Sequence, residues 1–206
     1  MKKNLCLLAA LALLVACSSP VKLNEVPVED KDTQGKPDVA KAQLQRSSVN
    51  YSTDNLYGSS SGFQVGSTYK IFTLAQWLTN GFHLGDHVDG RVKQWQAEDF
   101  KSRCEAVGAA WAPNNITKEP EDLSVVQATA LSVNTAFADM AHQLDLCDIR
   151  DTAMRFGVHR ADGTELQYIP ASVLGVNEIA PLTMAAAMAG IANKGVYCSP
   201  IAIDKV

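Results

Sequence analysis

The chain has 206 residues, 47% of them apolar and 19% charged, with a formal charge of −4. Those proportions are ordinary for a globular protein and exclude collagen-like, coiled-coil and wholly disordered classes. Lys and Arg are scattered rather than gathered into a stripe, so no nucleic-acid partner is expected, and no apolar run is long enough for a membrane-spanning helix.

The aromatic residues divide the chain unevenly. Residues 1–50 contain no Phe, Tyr or Trp; every aromatic lies between Tyr51 and Tyr197. Three stretches follow from this, at 1–16, 17–48 and 49–206. In the first, Lys2 and Lys3 lead into an apolar run from Leu5 to Ala16, directly before Cys17. A charged start, a short apolar run and small residues at its end read as a secretory signal. Leu14-Val15-Ala16-Cys17 resembles the lipobox of bacterial lipoproteins. That resemblance implies removal of residues 1–16, lipidation of Cys17 and a membrane anchor facing the extracytoplasmic side of the cell envelope. Each acyl methylene buried in lipid is worth about 0.8 kcal/mol. The alternative is an ordinary signal peptide that happens to end near a cysteine.

Residues 17–48 contain Pro20, Pro27 and Pro37, mixed charges and almost no hydrophobic period, which predicts a flexible polar tether. Its opening, Cys17-Ser18-Ser19-Pro20-Val21-Lys22-Leu23, is similar to the start of peptidoglycan-associated lipoproteins.

The body, 49–206, carries two short patterns: Ser67-Thr68-Tyr69-Lys70 (S-x-x-K) and Ser132-Val133-Asn134 (S-x-N). Both also occur in the head and at its boundary, at Ser19 to Lys22 and Ser48 to Asn50, so context must decide. Acyl transfer through a serine needs a lysine on the same helical face, and a spacing of three supplies it. Ser67 follows Gly66 and opens an expected helix over 68–80, apolar nearly all round, with Gly81 as its stop. A lysine held among apolar groups has a lowered pKa and can act as a base. The structural alternative makes Ser67 a helix cap and Lys70 a surface residue. Ser132 to Asn134 falls between two further expected helices, 122–131 and 135–144, where both polar side chains can enter one cleft. Its alternative is a turn serine beside a capping asparagine.

Together with Asn177 to Met184 (NEIAPLTM) and Ser60-Ser61-Gly62-Phe63-Gln64, these stretches resemble the transpeptidase domain of class A penicillin-binding proteins, over about residues 49–206. The resemblance implies Ser67 as acylated nucleophile, Lys70 as its base, Ser132 as proton shuttle and Asn134 as a substrate-amide contact. It implies D,D-transpeptidation on peptidoglycan stem peptides ending in D-Ala-D-Ala, β-lactams as covalent inhibitors, and no metal or diffusible cofactor. The family's third motif, K-[ST]-G, lies on a strand beyond S-x-N, and no Lys here is followed by Thr-Gly or Ser-Gly. The expected fold is therefore mainly α: the helical part of the α/β penicillin-binding-protein and β-lactamase-like fold, C-terminally truncated, with most of the sheet missing. Catalysis is expected to be impaired.

The remaining text predicts a helix over 148–156 with Asp148 as N-cap and Gly157 as stop, and a buried helix from Pro181. Residues 85–108 have poor periodicity and are expected to be an irregular connection. Of the cysteines, Cys147 and Cys198 are the expected disulfide, with three small buried side chains as the alternative. The four histidines show no metal spacing. Two other functions remain open: a non-catalytic lipid-anchored envelope fragment or chimera, and a serine hydrolase built on Gly58-Ser59-Ser60-Ser61-Gly62 with Asp148 and His159 following in order.

Overall fold

A computed structural model describes residues 49–104, 108–118 and 120–201. The expected signal, Cys17 and the tether lie outside these residues. The body is mainly α-helical, as the resemblance implies. In chain order it runs α1 (Asn55–Gly58), β1 (Phe63–Gln64), a 3-10 turn (Gly66–Tyr69), α2 (Lys70–Thr79), β2 (His87–Asp89) and a 3-10 turn (Ala97–Asp99). There follow β3 (Asp122–Ser124), α3 (Val125–Ala130), α4 (Asn134–Gln143), α5 (Leu146–Arg155), a 3-10 turn (Pro170–Leu174), β4 (Glu178–Ile179) and α6 (Pro181–Ala192).

The central helix is α4. Thr135, Ala136, Phe137, Ala138, Met140 and Ala141 are all buried, leaving the helix almost no solvent face. Its alanines let α2, α3, β2 and the 170–174 turn close around it. Helix α2 buries a stripe of Lys70, Phe72, Thr73, Gln76 and Trp77 against α4 and α5, while Leu78 is exposed. The four-residue rhythm of that stripe is the ordinary one for a half-buried helix. Phe72 and Phe137 are fully enclosed, and each such side chain contributes roughly 1.5–3 kcal/mol.

The two small sheets are where sequence periodicity failed. Strand β1 pairs antiparallel with β4, Phe63 opposite Ile179 and Gln64 opposite Glu178. Strand β2 pairs antiparallel with β3, His87 opposite Ser124 and Asp89 opposite Asp122. So part of the expected irregular connection is a strand, and the expected helix at 122 begins only at Val125. The reason is local. Ser124 Oγ accepts from the Gln127 N–H while Gln127 Oε1 accepts from the Ser124 N–H, a capping box that starts α3 there. Helix α5, by contrast, starts earlier than expected. Asp145 accepts from the Cys147 N–H at 2.8 Å, and Asp148 instead meets Arg103 at 2.8 Å.

The cysteine pairing also differs from expectation. Cys147 is bonded to Cys104, not to Cys198. The segment carrying Cys104 lies along the start of α5: the Leu146 N–H donates to the Lys101 carbonyl at 2.9 Å, and Asp145 accepts from the Arg103 N–H at 2.9 Å. Proximity is set by that docking, which no spacing in the sequence encodes.

Candidate active site

Ser67 sits on the 3-10 turn that feeds α2, and Lys70 is the first residue of α2. The Lys70 N–H donates to the Ser67 carbonyl, so the two residues share a single turn. In a 3-10 turn side chains three apart lie one above the other, which gives the alignment expected of an α-helix by tighter winding. The turn is fixed from outside. The Gly66 N–H donates to the Gly175 carbonyl at 3.0 Å, and Thr68 Oγ1 donates to the Val65 carbonyl at 2.7 Å. Gly175 has φ 83°, and a Cβ there would fall 2.1 Å from the Gly66 carbonyl oxygen, so only glycine fits.

Lys70 is 4% exposed, and its ammonium is fully engaged. Nζ donates to the Ser132 carbonyl at 2.7 Å, to Ser132 Oγ at 3.1 Å and to Asn134 Oδ1 at 2.6 Å. An ammonium has three protons, and here all three have acceptors. The Phe137 ring centroid lies 5.3 Å from Nζ. Removal from water lowers the Lys70 pKa from its ordinary 10.5 to about 8. A lysine poised there is neutral for part of the time near neutrality, as a general base must be. Next to it Tyr69 is buried, its hydroxyl has no hydrogen-bond partner among the described residues, and burial pushes its phenol well above the ordinary range.

Ser132 is a backbone outlier. Its φ of +54° is left-handed, which costs a residue with a Cβ about 1–2 kcal/mol. That turn presents both its carbonyl and its hydroxyl to one lysine. Asn134, one residue into α4, has both ends of its amide in use: Oδ1 accepts from Lys70 and Nδ2 donates to the Asn114 carbonyl at 2.8 Å. The structure thus joins Lys70, Ser132 and Asn134 directly. Ser67 adjoins them on its turn, exposed, with no hydrogen bond from its hydroxyl among the described residues.

Polar residues that the motifs did not reveal complete the site's frame. Asn115 Oδ1 accepts from the Thr135 N–H at 3.1 Å and its Nδ2 donates to Thr135 Oγ1 at 2.9 Å, while that hydroxyl donates to the Gly90 carbonyl at 2.6 Å. Pro113-Asn114-Asn115 reads only as a turn in the sequence. The NEIAPLTM stretch reaches the site through β4, whose partner β1 lies just ahead of Ser67. Asn177 itself is a strut: its side chain accepts from the Gln167 N–H and donates to the Gln167 carbonyl.

The alternative hydrolase constellation does not assemble. Ser60 lies between α1 and β1 rather than between a strand and a helix, is buried, and accepts from the Gly62 N–H at 3.2 Å. His159 meets Asp54 at 2.9 Å, far in sequence from Asp148, which belongs to Arg103. Among the described residues no group of three or more His, Cys, Asp or Glu is placed to hold a metal ion.

The penicillin binding protein transpeptidase domain family matches residues 26–206. Among solved structures, the chain is similar to the penicillin-binding protein PonA1 of Mycobacterium tuberculosis, with a TM-score of 0.54 and 23% identity over 68% of this chain and 36% of that one. Penicillin-binding protein A of the same organism, as its penicillin G acyl-enzyme complex, gives a TM-score of 0.52 and 19% identity over 79% of this chain and 40% of that one. Penicillin-Binding Protein 1A of Haemophilus influenzae gives 0.51 and 23% identity, over 62% of this chain and 18% of that one. The chain therefore spans well under half the length of the structures it matches, and at these identities the likeness concerns the fold. No curated protein matches. With S-x-x-K and S-x-N meeting at one buried lysine, and a family match over most of its length, the chain belongs to the penicillin-binding protein transpeptidase domain family.

Proposed function

We propose that the body is an acyl-transferring serine site of the penicillin-binding kind, acting on D-Ala-D-Ala stem peptides and acylated by β-lactams. The observation that carries this reading is the Lys70 ammonium held by Ser132 and Asn134 beside Ser67. Neutral Lys70 takes the Ser67 hydroxyl proton as Ser67 Oγ bonds to the substrate carbonyl carbon. The C–N bond to D-alanine then breaks, and the leaving nitrogen receives a proton passed from Lys70 through Ser132. Only Ser132 Oγ can make that transfer. The carbonyl and Asn134 Oδ1 accept and never donate, whereas a hydroxyl does both. In transfer, a cross-strand amine attacks the acyl carbon, gives its proton back along the same route and releases Ser67. In a β-lactam the amide that opens is part of the ring.

The 206 residues contain no K-[ST]-G, whose strand in the resembled family supplies one oxyanion donor, and loss of one such donor costs about 10²–10³ in rate. Acylation by this chain alone is therefore expected to be slow. The lipobox-like Leu14 to Cys17 supports an envelope location with a lipid anchor at Cys17. Labelling with a fluorescent penicillin tests the acyl-transfer reading: label lost in Ser67→Ala and kept in Ser60→Ala is the expected result. No label on a chain that circular dichroism shows folded would favour a non-catalytic envelope module, and label surviving Ser67→Ala would overturn the assignment.

A further inference from the structure

Asn134 can present either end of its amide to Lys70, and the two are not equivalent. Oδ1 accepts a proton from the ammonium; Nδ2 facing it would set donor against donor. What selects the orientation is the loop around Asn114, because Nδ2 donates to the Asn114 carbonyl at 2.8 Å. That loop is fixed at two points. Trp111 exchanges two backbone hydrogen bonds with Trp95, at 2.8 and 2.9 Å. Asn115 then grips Thr135 twice, through its backbone N–H and its hydroxyl, and Thr135 is tied on to Gly90. Thr135 is 2% exposed, so its end of the clamp is shielded from water, while Asn115 is half-buried.

We propose that Asn115 is a positioning residue for the acyl-transfer site: by clamping the 113–115 loop to Thr135 it holds the Asn114 carbonyl against Asn134 and so fixes Oδ1 toward Lys70. The inference rests on the function proposed above for its catalytic meaning, but the geometry it asserts stands apart from it. With Asn134 locked, two of the three acceptors around Nζ are permanent and the third, Ser132 Oγ, is reversible. Ser132 Oγ is thereby left as the one hydrogen-bonded partner with which Lys70 can exchange a proton. If the clamp opens, Asn134 turns freely, and the ammonium loses an acceptor without gaining one.

The surroundings of Lys70 make this readable. The Phe137 ring of α4 lies beneath it, the α3–α4 turn supplies the Ser132 oxygens, and Tyr69 precedes it on its own turn. From α5, Arg150 acts on Tyr69, and among the described residues no charged group acts appreciably on Lys70. Loss of an acceptor is then uncompensated, and since a hydrogen bond to the charged form favours that form, its loss moves the titration down.

The test is the Lys70 titration midpoint in the full chain, followed by NMR of ¹³C-labelled lysine. Asn115→Ala is expected to lower the midpoint by about one pH unit, tenfold in proton affinity, and Thr135→Val to lower it by less. Thr135→Ser, which keeps the hydroxyl, is expected to leave it native. In an Asn134→Ala background, Asn115→Ala is expected to add no further shift. A midpoint unmoved by both Asn115→Ala and Thr135→Val, or an Asn115→Ala shift of equal size with and without Asn134, overturns the proposal. Should Asn115→Ala fail to fold, the Thr135 pair decides alone. Absent penicillin labelling in a native chain whose midpoint responds as stated would sink the acyl-transfer reading and support the positioning role.

Discussion

Lys70 and Ser67, the proposed base and the proposed nucleophile, are held in opposite ways. Lys70 is buried, carries three hydrogen bonds and rests on α4, the most enclosed helix of the body. Ser67, three residues earlier, is exposed and sits on a 3-10 turn secured by the Gly66–Gly175 contact and a two-residue strand pair. The Lys70 half of the site is preorganised by packing; the Ser67 turn is held mainly by backbone contacts, with Thr68 Oγ1 and buried Tyr69 tying it down. Packing tolerates small changes by repacking, whereas a backbone contact at van der Waals limits does not.

Gly175→Ala should expose that difference most sharply. Its Cβ would meet the Gly66 carbonyl oxygen, N and carbonyl carbon at 2.1, 2.4 and 2.7 Å, in a left-handed conformation. We expect about 2–4 kcal/mol of destabilisation in urea unfolding, and about a hundredfold loss of penicillin acylation from displacement of Ser67. A variant with unchanged acylation would mean that Ser67 is held by something other than this contact. Lys70→Met addresses the other half. Acylation should fall about 10²–10⁴-fold, as for loss of a general base, with far-ultraviolet circular dichroism unchanged.

Lys70 also predicts a pH dependence. Below about 8 the acylation rate should rise about tenfold per pH unit, then level off as the amine becomes neutral. The same shift has a sign for stability. Lys70 binds its proton less tightly when folded than when unfolded, so its favourable contribution is complete above 10.5. That contribution declines as pH falls and is gone below about 8. Equilibrium unfolding across that window measures it.

Away from the site, Cys104→Ser should cost about 2–4 kcal/mol under oxidising conditions, since the bridge closes a span of 43 residues. Lys70 should titrate as before in that variant. The smallest effect is expected at His87, whose pairing with Asp122 at 2.8 Å lies between two exposed side chains. His87→Ala should change stability by less than about 1 kcal/mol, by thermal melting.

The same division explains what the sequence disclosed. Ser67, Lys70, Ser132 and Asn134 could be singled out because the proposed acyl-transfer chemistry wants those types at fixed spacings, and the structure brings Lys70, Ser132 and Asn134 together; α2, α4, α5 and α6 were legible because a buried helix leaves a period. Strands of two or three residues leave none, so β1 to β4 were invisible. Ser124 and Gln127 did spell a capping box, which would have placed the start of α3 correctly. Asn115, Gly175 and the Cys104–Cys147 pairing act across the fold, and nothing in their neighbours along the chain reports what they touch.

The pairing of Phe63 with Ile179 has a consequence in time. Lys70 meets partners 62 and 64 residues away, whereas the strand next to Ser67 must wait for a segment near the far end of the body. Loop closure over that longer span is the slower event. During synthesis or refolding the lysine cradle is therefore expected to form first, around α4, with the serine turn set last. Pulsed hydrogen exchange would show α4 amides protected before the β1–β4 pair; the reverse order would mean that the nucleophile's edge, not its base, nucleates the site.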